Sequence, residues 1–206
     1  LTIVVRGARS GGHFALTFDD GPERGATDRL LELLERRDAK ATFFCVGEQV
    51  ERDVDLAREI VSRGHEVGSH TMLHLDHGEL EAEQAASDML DGAAALERLL
   101  SVRPHFYRAP YGRFVPATLA EAERRGWTCV LWSAWGRDWL PDDAATIAAR
   151  VLADLGPGAI VLLHDAERYA HARSDCAPTI EATEIVLAEA ERRRLRPVSV
   201  GELLRY

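Results

Sequence analysis

Two adjacent carboxylates, Asp19 and Asp20, and two imidazoles four positions apart, His70 and His74, are residue types that hold a divalent cation and move a proton beside it. The i, i+4 spacing of the histidines sets both rings on one side of a helical turn, as a shared ion requires. Arg108, Asp138, His164 and Asp165 add a cation, a third carboxylate, an acid–base imidazole and a fourth carboxylate. Singly, each has a plainer explanation: Asp-Asp-Gly-Pro is turn chemistry, the two histidines are surface neighbours, Arg108 is an exposed strand end, and His164 is a satisfied core histidine. Their joint placement is what those explanations handle badly, because each falls where a short apolar run ends.

Those runs alternate with segments of helical period. Residues 13–18 read as a strand and 28–37 as a helix, with Leu30, Leu31, Leu33 and Leu34 forming its apolar stripe. A strand at 41–46, a helix over 49–63 stopped by Gly64, and a short strand at 65–70 follow. A long helix covers about 79–100, and a strand-like stretch at 105–110 leads into a turn at Tyr111 and Gly112. Pro116 opens the next helix and Gly126 ends it. Residues 127–132 and 159–164 are apolar enough to be strands buried on both faces, as in parallel sheets. Helices at 143–155 and 179–194 and a short strand at 197–200 complete the order.

Repeated strand-then-helix order predicts an α/β fold, a closed or nearly closed barrel of about seven parallel strands with surrounding helices. An open doubly wound sheet is the alternative, but no Gly-rich phosphate loop of its kind occurs. In the barrel, the polar residues above stand at C-terminal strand ends, the face where barrels assemble active sites.

At 206 residues and 46% hydrophobic content the chain supports one core, so a single domain over residues 1–206 is expected. A formal net charge of −9 repels phosphate backbones and anionic lipid, which excludes nucleic acid as a partner. No apolar run approaches the roughly 18 residues needed to span a bilayer, so the chain is expected to be soluble without membrane insertion. Cys45, Cys129 and Cys176 are odd in number and form no CxxC pair. Cys45 and Cys129 read as core residues and favour a reducing compartment. The first residue is Leu, which leaves both a cytoplasmic and a secreted location open.

The residues Thr17–Pro22 (TFDDGP), His70–His74 (HTMLH), Arg108–Gly112 (RAPYG), Arg137–Trp139 (RDW) and Leu162–Asp165 (LLHD) resemble, in order, the five motifs of the polysaccharide deacetylase family, carbohydrate esterase family 4 or the NodB homology domain. The resemblance implies a distorted (β/α) barrel and one divalent metal ion, Zn²⁺ ahead of Co²⁺, bound by Asp20, His70 and His74. It implies Asp19 as the base toward the attacking water, oriented by Arg108, and His164 as the acid toward the leaving nitrogen, oriented by Asp138. The backbone N–H of Tyr111 would hold the oxyanion, and Trp139 with Leu162 would receive the acetyl methyl. His77 stands near this set but is read as a loop residue; Asp165 orients His164 or caps the following segment. His13, His65, His105 and His171 receive no role.

One departure stands out. The family usually has an aspartate where this chain has Trp135, so the chemistry is expected to persist while the substrate's shape changes. Trp135 either stacks on a sugar face or is a core aromatic. The expected substrate is an acetylated carbohydrate, N-acetylglucosamine units of chitin oligomers or peptidoglycan. A small acetylated metabolite is the competitor, and a non-catalytic metal- or sugar-binding module the reading from another class.

Overall fold

The computed structural model describes residues 2–170, 172–173 and 175–205. Among these the chain runs β1 (Thr2–Val4), β2 (His13–Asp19), α1 (Thr27–Arg36), β3 (Thr42–Cys45), α2 (Gly47–Arg52), α3 (Val54–Ser62), β4 (Glu66–Ser69), α4 (Ala82–Leu100), β5 (Phe106–Tyr107), α5 (Pro116–Arg125), β6 (Thr128–Val130), β7 (Ala134–Trp135), α6 (Ala144–Asp154), β8 (Ile160–His164), α7 (Ala177–Arg192), β9 (Arg196–Val198) and α8 (Val200–Leu203). The strands form one sheet in the order β1-β6-β5-β4-β3-β2-β8-β7, with β9 joining β2, and every pairing is parallel. The sheet curls into a half-barrel with helices around it. Helical crossovers produce that arrangement, because a parallel neighbour is reached only by a long return connection.

β2 is an interior strand, paired with β8 along one side and with β9 and then β3 along the other. Its alternate residues Phe14, Leu16 and Phe18 are wholly buried and enter one large apolar cluster with the leucines of α1. Leu30, Leu31 and Leu34 of that helix are at 0% exposure, so each contributes roughly 1.5–3 kcal/mol of burial free energy. Glu32, Glu35 and Arg36 on its other face are exposed. α1 thereby closes one side of β2.

Three local features differ from expectation. The helix over 49–63 is two helices, because the Asp53 side chain accepts from Leu56 N–H at 3.0 Å and caps α3 rather than continuing α2. β1 and β7, both unforeseen, are the two edges of the sheet. Segments of two or three residues show no periodicity, and it is pairing with β6 and β8 that makes them strands. The apolar run at 127–132 contributes only Thr128–Val130 to the sheet, which leaves Trp132 beyond its end.

Candidate active site

Every side chain singled out for chemistry stands at or beyond the C-terminal edge of this sheet. Strand register does the first part of the assembly. Asp19 of β2 lies opposite His164 of β8, and Ser69 of β4 opposite Tyr107 of β5, so His70 and Arg108 leave the sheet side by side. His70 Nδ1 donates to the Arg108 carbonyl at 2.8 Å, which fixes the tautomer and leaves the Nε2 lone pair free. That Nε2 lies 3.4 Å from Asp20 Oδ1, and His74 Nε2 lies 3.1 Å from the same oxygen. Ligand atoms of the three buried side chains all fall within 4.8 Å of one another. Asp20 Oδ1 is buried and has no hydrogen-bond partner. A cation satisfies that oxygen and both nitrogens at once, so the donor set fits one divalent ion with coordination positions to spare. Burial pushes the Asp20 carboxyl up, yet His164 and then the His70 and His74 rings outweigh it and hold the group well below the usual carboxylate range.

The segment carrying the two histidines is a loop, not the helical turn that the i, i+4 spacing predicts. Thr71 and His74 take φ of 69° and 55°, in the left-handed region. Tertiary bonds replace the helical ladder: Gly47 N–H donates to Thr71 O at 2.9 Å, Met72 N–H to Asp88 O at 2.9 Å, and Leu73 N–H to Asp88 Oδ1 at 2.8 Å. Gly92 of α4 approaches the Thr71 carbonyl so closely that a Cβ would overlap it. His77 is buried beneath this loop, where its Nε2 donates to Asp88 Oδ2 at 2.9 Å and its Nδ1 faces the Tyr107 hydroxyl at 3.3 Å. It braces the loop from below and is not among the grouped ligands.

A second pair stands beside the first set. Asp19 Oδ1 accepts from Arg108 Nη1 at 2.6 Å, while Oδ2 stands 3.8 Å from His70 Nε2. Arg108 is fully buried rather than an exposed strand end. Its guanidinium also donates to Thr17 Oγ1 at 2.8 Å and to the carbonyls of Val130 and Leu131, each at 3.1 Å, and lies 4.1 Å over the Phe44 ring. Burial pushes the Arg108 guanidinium down, and Asp19 opposes that shift.

His164 Nδ1 donates to Asp138 Oδ1 at 2.8 Å, and its backbone N–H donates to Oδ2 at 2.9 Å, so Nε2 is the nitrogen left for proton transfer. Thr179 and Arg173 also donate to Oδ2, at 2.9 and 3.2 Å. Burial pushes the His164 imidazole down, but Asp138 and then Asp20 raise it to about 9. If protonated His164 is required, activity falls on the alkaline side of the pH profile. Asp138→Asn removes the strongest support for the imidazolium, so the alkaline limb of kcat is expected to move to lower pH. A pH–rate profile with an unmoved alkaline limb would separate His164 from the limiting proton transfer.

These groups open into a cavity of about 400 Å³ walled by Tyr111, Trp132, Trp135, Trp139, Leu162 and Tyr169. Trp139 stands edge-on to His164, with ring centres 5.6 Å apart, and Trp135 lies 5.5 Å beyond it toward Trp132. Trp135 is half-buried on β7 with the Arg137 guanidinium 4.6 Å over its ring, so it belongs to the cavity wall and not to the core clusters. Tyr111 is exposed and edge-on to His74. Tyr169 stacks on His74 with ring centres 4.3 Å apart, its hydroxyl donating to Glu48 Oε1 at 2.6 Å. Tyr169, Trp132, Asp88, Arg173 and Thr179 escaped the sequence reading. Only Trp132, an aromatic just past an apolar run, carried a signal that could have been used. The expectation for Asp165 fails in both forms, since its carboxylate accepts from Gly21 N–H and Thr27 Oγ1 and touches neither His164 nor the following segment. Burial, against the Thr27 hydrogen bond, raises that carboxyl to about 7. His171 lies outside the described residues.

The chain matches the family described as polysaccharide deacetylase over residues 6–130. It is 37% identical over 195 residues to a peptidoglycan-N-acetylglucosamine deacetylase of Bacillus cereus, covering 93% of this chain and 88% of that protein. It is 35% identical over 195 residues to a chitooligosaccharide deacetylase of a Bradyrhizobium species, covering 92% and 88%. The crystal structure of the Bc1960 peptidoglycan N-acetylglucosamine deacetylase, in complex with 4-naphthalen-1-yl-N-oxidanyl-benzamide, superposes with a TM-score of 0.91 at 26% identity over 98% of this chain and 92% of that one. Fold, order of motifs and sequence likeness agree, and the chain belongs to the polysaccharide deacetylase family.

Proposed function

We propose that residues 1–206 form one catalytic domain that removes acetyl from N-acetylglucosamine units of chitin oligomers or peptidoglycan with the help of a divalent metal ion. The observation that carries the reading is the convergence of Asp20 Oδ1 and the two Nε2 atoms of His70 and His74 beside two oriented pairs, Asp19–Arg108 and His164–Asp138. Zn²⁺, or Co²⁺ as the second choice, would be held by Asp20, His70 and His74; there it would lower the pKa of water and polarise the acetyl carbonyl.

The chain's own groups perform the proton transfers. Asp19, held by Arg108, takes a proton from the water that adds to the carbonyl carbon. The Tyr111 backbone N–H donates to the developing oxyanion. His164 gives its Nε2 proton to the leaving nitrogen as the C–N bond breaks, releasing acetate and a free amine, while Asp138 holds the ring. Trp139 and Leu162 enclose the methyl group and keep bulk water from it. A binding module has no use for a buried base–arginine pair and a raised imidazole, which disfavours the non-catalytic reading.

Acetate release from chitin oligosaccharides of increasing length, with chelator and with Zn²⁺ or Co²⁺ added back, tests this. Chelation is expected to abolish turnover and either metal to restore it; full turnover in metal-free protein refutes the metal assignment. Rates that rise with length support the oligomer substrate, while no release from any length turns the reading toward a small acetylated metabolite.

A further inference from the structure

Asp165 follows His164 directly, yet its side chain serves the opposite side of the site. We propose that Asp165 is a positioning residue for the candidate cation site, holding the peptide groups on both sides of Asp20 so that the Asp19 and Asp20 carboxylates keep their places. The inference rests on the metal-dependent reading above. The Asp165 backbone N–H donates to the Asp19 carbonyl at 3.0 Å, in the peptide that precedes Asp20. Its Oδ1 accepts from Gly21 N–H at 3.0 Å, in the peptide that follows. One residue therefore bonds both peptides of Asp20. Oδ2 accepts from Thr27 Oγ1 at 2.6 Å, and the same hydroxyl accepts from Glu23 N–H at 2.8 Å, which ties the loop to the start of α1.

Asp20 needs such a clamp. Its φ is 83°, a left-handed conformation that a non-glycine residue keeps only where its surroundings over-determine it. Relaxing that angle swings the Cα–Cβ bond and turns the carboxylate away from His70 and His74. Gly21 permits the clamp, since a Cβ there would overlap the Asp165 carboxylate. Asp165 is only 1% exposed, so water does not compete for these bonds. One carboxylate oxygen is committed to the loop and the other to the first residue of α1.

Co²⁺ titration of wild type, Asp165→Ala and Asp165→Asn, followed by visible absorption at a temperature where circular dichroism shows folded protein, tests the assignment. Wild type is expected to bind, and Asp165→Ala to bind about 10- to 100-fold more weakly with an altered spectrum, the usual loss when a group supporting a metal ligand is removed. Asp165→Asn keeps an acceptor for Gly21 and presents an amide to Thr27, so it is expected to stay within about threefold of wild type. Wild-type affinity and spectrum in folded Asp165→Ala, even with a lowered Tm, overturn the proposal and leave the metal reading standing. Absence of Co²⁺ binding by wild type overturns the metal reading and this proposal with it. If Asp165→Ala does not fold, Thr27→Val replaces it: weaker Co²⁺ binding supports the clamp, and unchanged binding overturns it.

Discussion

Asp19→Asn is expected to lower kcat by roughly 10²- to 10⁴-fold, the usual contribution of a positioned general base. The amide oxygen still accepts from Arg108, but the group no longer takes a proton. Because Asp20, His70 and His74 supply the converging donors, metal content should stay near one ion per chain while turnover collapses. Inductively coupled plasma analysis alongside steady-state acetate release separates the two effects. Loss of metal together with rate would assign Asp19 a ligand's role, and full activity would remove it from the mechanism. Different tasks are expected of the neighbouring carboxylates because their partners differ. Asp19 is held at one oxygen by a guanidinium, and Asp20 faces two imidazole nitrogens.

Arg108→Met should be the most damaging single change to the fold near the site. Arg108 is at 0% exposure, and its loss strands the Asp19 carboxylate and leaves the Val130 and Leu131 carbonyls without their donor. Removing one partner of a buried ion pair costs about 3–5 kcal/mol. For a chain of this size that corresponds to a fall in Tm of roughly 6–20 °C. Activity at temperatures where the variant is folded should also drop, since nothing then orients Asp19. Differential scanning calorimetry with kcat measured well below Tm checks both parts. A Tm within about 2 °C of wild type would show that the pair carries little stability. Arg108→Lys is not a mild alternative, because an ammonium cannot reach four acceptors in the planar geometry that the guanidinium uses.

The cavity beside the candidate cation site has an aromatic wall. Trp132, Trp135 and Trp139 line the cavity in sequence, Trp135 standing where the resemblance implies an aspartate. If the substrate is a sugar, an apolar, polarisable surface there suits the face of a pyranose ring better than a charged substituent. Trp135 itself is half-buried on β7, with its ring on the cavity wall.

Much of this protein was decided by the linear order of residue types. Apolar runs of strand length alternating with helical stripes leave a parallel sheet as the economical way to bury both faces of each strand, and chemistry then gathers at one edge. Asp19, Asp20, His70, Arg108, Asp138 and His164 stand out as candidates because each follows such a run and matches a motif, and the fold brings them together. Local rules could not reach the geometry that depends on distant backbone. The His70–His74 loop looks helical by spacing but is moulded by Asp88 and Gly92 of α4. Trp135 becomes a strand residue only beside β8, and Asp165 turns from its sequence neighbour His164 to Gly21 and Thr27. Tyr169 meets His74 only after the chain has closed on itself. Periodicity reports which face of a segment is buried, whereas hydrogen bonds between residues far apart in sequence decide where a loop points its side chains.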